Sequence, residues 1–320
     1  MVDNPQFFGP AEVGELLPWD ALIAAIEAIL AEPDATAPER TVHTVPDSTG
    51  DDAALLLKPG WVAGDVIAIK AVTFFPNNGD LNLPTVNAGV LLFSGGNGTL
   101  LGACDGNELT TRRTAAASAV AAKRLARPDV SRLLVVGTGA MASMTAHAHC
   151  SIRSYERVDV WGRNSEKAQQ VVAQLVADGL PARVALDIDI AVAEADVISC
   201  VTGAHEPLVK GALLKDGAHV DLIGSFTPQM RESDDDVVRR ATVFADTRTD
   251  GIIAGDLAQP LAEGVISVDD IVADLAELAT GVHPGRTSDT EITMFKSAGF
   301  ALEDVAAARL VFAAGRDPGA

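Results

Sequence analysis

Residues 133 to 142 read Leu-Leu-Val-Val-Gly-Thr-Gly-Ala-Met-Ala, an apolar strand running directly into a glycine-rich turn and then a helix-favouring stretch. Few segments constrain a fold so strongly. The G-x-G-x-x-A spacing asks for a tight turn at Gly137, close approach of a ligand to the backbone at Gly139, and a small residue at Ala142 so that helix and strand can pack. Thr138, Ala140 and Met141 complete the turn, and the helix N-terminus offers free N–H groups and a positive partial charge to a pyrophosphate. The reading is a Rossmann domain that binds a nicotinamide dinucleotide.

The surrounding grammar agrees. Strands are expected at 133–136, 158–161, 184–185, 197–200, 219–223 and 243–245, with helices such as 165–177 and 187–195 between them. That alternation builds a parallel sheet covered on both faces. The N-terminal part reads differently. Leu22, Ile26, Ile29 and Leu30 mark an amphipathic helix over 19–31, followed by short β-rich pieces at 54–57, 66–72 and 89–93 with turns at 76–79 and 94–98. Short turns between successive strands predict an antiparallel or mixed sheet, hence an α+β domain. An Ala-rich helix over 114–126, stopped by Pro128, reads as the hinge helix. The expected class is therefore α/β, a Rossmann domain plus an α+β domain, divided as 1–118 with 296–320 and 119–295.

Composition narrows the partners. A hydrophobic content of 48% with only 4% aromatics means a core of Ala, Val, Leu and Ile, which suits helices lying close on a sheet. A net charge of −20 argues against nucleic acid, whose binding needs concentrated Lys and Arg. It also makes a basic residue beside a ligand motif informative. No apolar run reaches the roughly 18–20 residues that span a bilayer, and residues 1–10 carry no basic, then apolar, leader. The cytoplasm is the expected compartment, with no membrane partner. Cys104, Cys150 and Cys200 are far apart, and His147 and His149 point to different sides of a helix, so neither a disulfide framework nor a metal site is expected. Asp234-Asp-Asp236 reads as the acidic first turn of a helix ending near Arg239-Arg240.

The end of the second Rossmann strand selects the cofactor. NAD enzymes place an acid there for the ribose hydroxyls; this chain has Arg163 followed by Asn164. A guanidinium pairs with a 2′-phosphate, so NADPH is favoured and NADH is the alternative. Thr202 and Gly203, after the fourth strand, are expected near the nicotinamide, a simple turn being the competing explanation.

Several segments together resemble the ornithine cyclodeaminase/μ-crystallin family: Arg40-Thr-Val-His43, Ile69-Lys-Ala-Val72, Asp105 to Ser118 with its Arg113-Thr-Ala-Ala, the Gly137 turn, Asp221 to Glu232, and Glu291 to Ser297 with its Phe-Lys-Ser. The resemblance covers nearly the whole chain. It implies a homodimer whose N-terminal segment and C-terminal helix form the substrate and dimerisation domain. It also implies that Arg40, Lys70 and Arg113, rather than the adjacent Arg112, surround a substrate carboxylate. The competing explanation is that the arginines make ordinary surface ion pairs and Lys70 merely snorkels from its strand.

One departure bears on the reaction. Family cyclodeaminases carry an aspartate in the stretch that here reads Gly224-Ser-Phe226, and phenylalanine transfers no proton. General acid–base catalysis is worth about 10²–10⁴-fold, so with no side-chain carboxylate expected to drive amine loss, deamination is disfavoured. Reduction of a preformed cyclic imine asks for less: a held carboxylate, an imine carbon under the nicotinamide, and a proton that Lys70 donates or relays, unless its part is electrostatic. The resemblance therefore implies reduction of Δ1-pyrroline-2-carboxylate to L-proline, with Δ1-piperideine-2-carboxylate to L-pipecolate as a second activity. The alternatives are ornithine cyclodeamination, alanine dehydrogenase-type chemistry, and a non-catalytic NADPH-dependent binding protein in the manner of μ-crystallin.

Overall fold

The computed structural model describes residues 4–46 and 52–316. Residues 1–3, the start of the N-terminal stretch expected to lack a leader, and 317–320, the end of the expected second piece of the substrate domain, lie outside the described residues. The chain divides into Met1–Arg113 with Phe300–Ala320, and Thr114–Gly299. These boundaries fall four or five residues from those expected at 118 and 295.

The first unit holds strands β1 (Gln6–Phe8), β2 (Ala35–Thr36), β3 (Thr41–Val45), β4 (Ala53–Val62), β5 (Val66–Phe74), β6 (Val86–Ser94) and β7 (Leu100–Asp105), with helices α1 (Pro10–Leu16) and α2 (Trp19–Leu30). Helix α3 (Gly106–Leu125) begins here and continues into the second unit. The sheet order is β1-β7-β6-β5-β4-β2, with β3 also on β4; β1 joins β7 in parallel and the other pairs are antiparallel, so the sheet is mixed. Strand alternation puts Val66, Ala68 and Lys70 on the buried face of β5, and Lys58, Gly60 and Val62 on that of β4. The C-terminal helix, packed on this face, is so close at Gly60 that a Cβ there would stand 2.8 Å from Val305 Cγ2.

Strand β4 runs straight through Lys58-Pro59-Gly60, where a break was expected after Leu57. Strand β3 pairs with 53–57 and β2 with 61–62, leaving Pro59 paired on the β5 side alone. A proline is tolerated in that gap because the missing N–H has no ladder partner to lose.

The second unit contains β8 (Arg132–Val136), β9 (Arg157–Trp161), β10 (Ala182–Val184), β11 (Val197–Cys200), β12 (His219–Leu222), β13 (Ala241–Ala245), β14 (Ile271–Asp274) and β15 (Ile292–Lys296). They form a parallel sheet ordered β10-β9-β8-β11-β12-β15-β13-β14. Helices α4 (Ala140–Ile152), α5 (Ser165–Ala177), α6 (Ile188–Glu194), α7 (Asp235–Arg240), α8 (Gly255–Ala262) and α9 (Leu275–Thr280) accompany it, and α10 (Ala301–Arg316) returns to the first unit. The odd and even positions of β8 feed two separate cores: Leu133 and Val135 pack with Ala122, Ala142, Ala146 and Leu175, while Leu134 and Val136 pack with Val192, Val237 and Leu257.

Strand β15 had not been expected, and it occupies the middle of this sheet. A strand buried on both faces normally reads as an unbroken apolar run. Here Thr293 and Lys296 interrupt the run, yet both are fully buried. Lys296 donates to the Leu222 carbonyl at 3.1 Å and pairs with Asp256 at 3.3 Å. The Phe-Lys-Ser motif is thus part of the second unit's framework. So is Asp221, which accepts from Ser118 (3.0 Å) and Ser199 (2.6 Å) and lies 3.3 Å from His149 Nε2. As expected, the acidic run opens α7, with Asp234 as its N-cap accepting from the Val237 N–H.

Candidate functional site

The glycine turn after β8 opens a cavity of about 300 Å3 in the second unit. Gly137 has φ +132°, and a Cβ there would sit 2.8 Å from Val201 Cγ2 and 2.9 Å from the Val201 carbonyl. Only glycine meets both demands without strain. Gly139 is the N-cap of α4; no side chain caps that end, and an added Cβ would meet no protein atom within 4 Å. Uncapped N–H groups with open space in front of them, at the positive end of a helix of 13 residues, fit a pyrophosphate.

Gly137, Thr138, Gly139, Arg163, Asn164, Thr202 and Gly203 all line this cavity. Ala140, Met141 and Ala142 do not: Ala140 opens α4, Met141 is half-buried, and Ala142 is buried against the sheet. Asn164 is also committed locally, since its side chain caps α5 by accepting from the Lys167 N–H at 3.0 Å. Lys167 itself lines the cavity, a cation that sequence reasoning passed over although it stands four residues after Arg163 on an exposed helix start. Arg163 and Lys167 thus place two cations at the rim of this cavity.

Behind the cavity lies a second omission. Glu232 is fully buried. One of its oxygens accepts from the Thr202 N–H and hydroxyl at 2.7 and 2.9 Å, the other from the Gly224 and Ser225 N–H groups at 2.8 and 3.2 Å. Burial pushes this carboxyl up, and Asp256 adds to that while Lys296 opposes it, bringing it to about 7. Phe226, two residues beyond Gly224, is 53% exposed.

The first unit carries a different cluster. Lys58 and Lys70 face each other across β4 and β5 and are 6% and 2% exposed. Like charges directly opposite repel, and Asp304 in the first turn of α10 compensates. Its carboxylate lies 2.7 Å from Lys70 Nζ, 3.9 Å from Lys58 Nζ and 2.8 Å from Arg113 Nε. Arg113 also pairs with the fully buried Glu303, and Thr110, one turn earlier on α3, accepts from Lys70 Nζ at 3.1 Å. Arg112 points elsewhere, to Glu108, the Leu17 carbonyl and the Trp19 ring. Arg40 is half-buried just before β3 and contributes to the positive field at Lys58.

The competing explanation, surface ion pairs and a snorkelling lysine, does not hold for Lys70 and Arg113, since both are buried in an ion cluster. One expectation needs correction: carboxylates are present beside the cations, because Glu303 and Asp304 arrive from the far end of the chain. Burial, reinforced by Arg113, holds the Lys70 ammonium well below its ordinary range although Asp304 opposes this. Lys58 is lowered by burial in the same way. Burial alone would raise the Asp304 carboxyl, but Arg113, Lys70 and Lys58 together push it down to about 2. Three buried cations thus gather around Glu303 and Asp304, and burial leaves Lys70 ready to release a proton. Among the described residues, no group of three or more His, Cys, Asp or Glu side chains is placed to hold a metal ion, and no helix is long and apolar enough to cross a membrane.

Residues 5–317 match the profile of the ornithine cyclodeaminase/mu-crystallin family. The chain is 37% identical over 316 residues to a Δ1-pyrroline-2-carboxylate reductase of Paracoccus denitrificans, covering 94% of each. It is 36% identical to the ketimine reductase mu-crystallin of Mus musculus, covering 96% of each. Among solved structures, the Thermococcus litoralis Δ1-pyrroline-2-carboxylate reductase in complex with NADH and L-proline superposes with a TM-score of 0.91 at 30% identity, covering 98% of each chain.

Proposed function

Because the chain belongs to the ornithine cyclodeaminase/mu-crystallin family, we propose that it is a cytoplasmic NADPH-dependent reductase of cyclic ketimine carboxylates, converting Δ1-pyrroline-2-carboxylate to L-proline. The observation that carries this reading is the buried cluster of the first unit, where Lys58, Lys70 and Arg113 gather around Glu303 and Asp304. An α-imino acid offers one strong handle, its carboxylate. Arg113 presents a planar guanidinium, whose fork matches the geometry of a carboxylate. Lys70 and Arg40 complete the positive surroundings.

The reduced nicotinamide, when bound, supplies a hydride to the imine carbon, and the ring nitrogen takes a proton to leave an amine. Lys70, its ammonium already destabilised by burial, is the proton donor in this reading. Glu303 and Asp304 are ion-pair partners, and Asp304, held ionised far below neutral pH, has no proton to give. Phe226 supports reduction over amine loss for the same reason. Arg163 and Lys167 support NADPH over NADH at the cavity rim. A pocket that must distinguish one ring methylene gains only about 1–3 kcal/mol, so the six-membered piperideine homologue is reduced as well.

The assembly is a homodimer in this reading. On the sheet face turned away from α10, Ile69 and Leu91 are cross-strand partners flanked by Ile67 and Phe93. Leu91 is 42% exposed, and an apolar sheet face of this kind suits a second copy. Light scattering would then return twice the 33.1 kDa chain mass.

The test is comparative turnover. NADPH consumption with pyrroline and piperideine carboxylates supports the reading. Consumption of NADH with pyruvate and ammonia alone, release of ammonia from ornithine, or no turnover with any imino acid each overturns it. Arg113→Lys, which keeps charge but loses the planar fork, should raise KM about tenfold or more with a smaller effect on kcat.

A further inference from the structure

Glu232 joins two loops that leave the carboxyl ends of adjacent parallel strands, β11 and β12. The loops approach backbone to backbone: a Cβ on Gly224 would stand 2.2 Å from both the N and the O of Thr202. Four donors from these loops converge on the two Glu232 oxygens. The residue's own main chain extends the brace, its N–H donating to Asp256 Oδ1 at 2.8 Å and its carbonyl accepting from Leu208 and Val209 at 2.8 and 3.0 Å. Thr202 and Leu208 line the cofactor cavity.

We propose that Glu232 is a positioning residue that holds the cofactor-facing loops in their binding geometry only while ionised, so that dinucleotide affinity depends on its carboxylate. The proposal rests on the reading that this cavity takes a nicotinamide dinucleotide. Its physical core is acceptor counting. A carboxylate satisfies all four donors, whereas a proton on either oxygen turns an O–H toward N–H groups and leaves buried donors unsatisfied, which costs about 1–3 kcal/mol per group. The groups facing Glu232 are Asp256 from α8 and Lys296 from β15, together with the Cys200 thiol of β11, which burial keeps protonated. The neighbouring Arg231 is turned to the Ser233 carbonyl and Asp235. Because burial and Asp256 raise the carboxyl, it is ionised above and protonated below about pH 7.

If only the ionised form is competent, the apparent Kd scales with its inverse population and rises about tenfold from pH 8 to pH 6. The experiment is a fluorescence titration of the full chain with NADH over this range; NADPH is avoided because a phosphate titrates near 6. Wild type should show the tenfold change, and His205→Gln, which removes the exposed imidazole beside Ala204, should keep it. Glu232→Gln should bind more weakly at pH 8 and lose the pH dependence, since its amide nitrogen faces donors on one side. Asp256→Asn keeps an oxygen for the Glu232 N–H but removes the like charge, so it should move the midpoint to lower pH. A merely structural Glu232 leaves that midpoint in place, and this comparison decides the matter even if Glu232→Gln folds poorly. Flat wild-type affinity, or full pH dependence in Glu232→Gln, overturns the proposal. Failure of wild type to bind either dinucleotide at any pH overturns the cofactor reading and the proposal with it.

Discussion

Asp304→Asn removes one charge and almost no volume from the centre of the cation cluster. The carboxylate is shared by Lys70 at 2.7 Å, Arg113 at 2.8 Å and Lys58 at 3.9 Å. Burial favours its neutral form, but the cations prevail and push it down to about 2, against about 3.9 in an unfolded chain. That difference is worth about 2.5 kcal/mol of folding stability at neutral pH. Its sign is that of a depressed acid: the contribution is complete above about pH 4 and disappears as pH falls toward 2. The variant also leaves cations undercompensated, and a buried pair that loses one partner typically costs about 3–5 kcal/mol. Lys70 can shed its proton, because burial already holds it low, so the loss should lie near the lower limit. We expect Asp304→Asn to be about 3 kcal/mol less stable at pH 7, with the gap narrowing to about half by pH 3. Urea unfolding of both proteins at the two pH values measures this, provided the m-values match. Equal stability at pH 7, or a gap that ignores pH, would refute the charge-sharing argument.

Arg163→Asp should raise the Kd for NADPH at least tenfold more than that for NADH, and unchanged preference in paired titrations removes Arg163 from phosphate recognition. Gly137→Ala, forced to accommodate φ +132° and a 2.8 Å contact with Val201, should weaken NADH binding tenfold or more, equivalent to about 1.4 kcal/mol; wild-type affinity would contradict the turn's role. Lys58→Met removes a neighbour that lowers the Lys70 ammonium. If Lys70 must be protonated for turnover, the alkaline limb of the kcat profile should move to higher pH, and a limb that stays put or moves down contradicts its assignment as donor.

The cofactor site was legible because its grammar is local. Strand, turn and helix follow one another within the Gly137 segment, and Arg163 stands where the next strand ends. Helix α5 and strand β11 were readable to the residue for the same reason, uninterrupted patterning between clear caps. Strand β15 was not, because Lys296 and Thr293 are buried against partners that only the folded chain supplies. The cation cluster was half legible. Its basic members lie in recognisable segments, but Lys70 and Asp304 are 234 positions apart, and no spacing rule relates them. Lys58 was hidden in a Lys-Pro-Gly stretch that imitates a loop. Glu232 sat inside a quoted motif, yet its burial and four donors depend on two other loops meeting around it.

The reading as a whole predicts a specific transfer of atoms. Turnover of Δ1-pyrroline-2-carboxylate with NADPH deuterated at nicotinamide C4, analysed by mass spectrometry and NMR, should give L-proline carrying deuterium at the α-carbon in step with cofactor oxidation. Cofactor oxidation without labelled proline, or no oxidation with any cyclic imino acid, would contradict it.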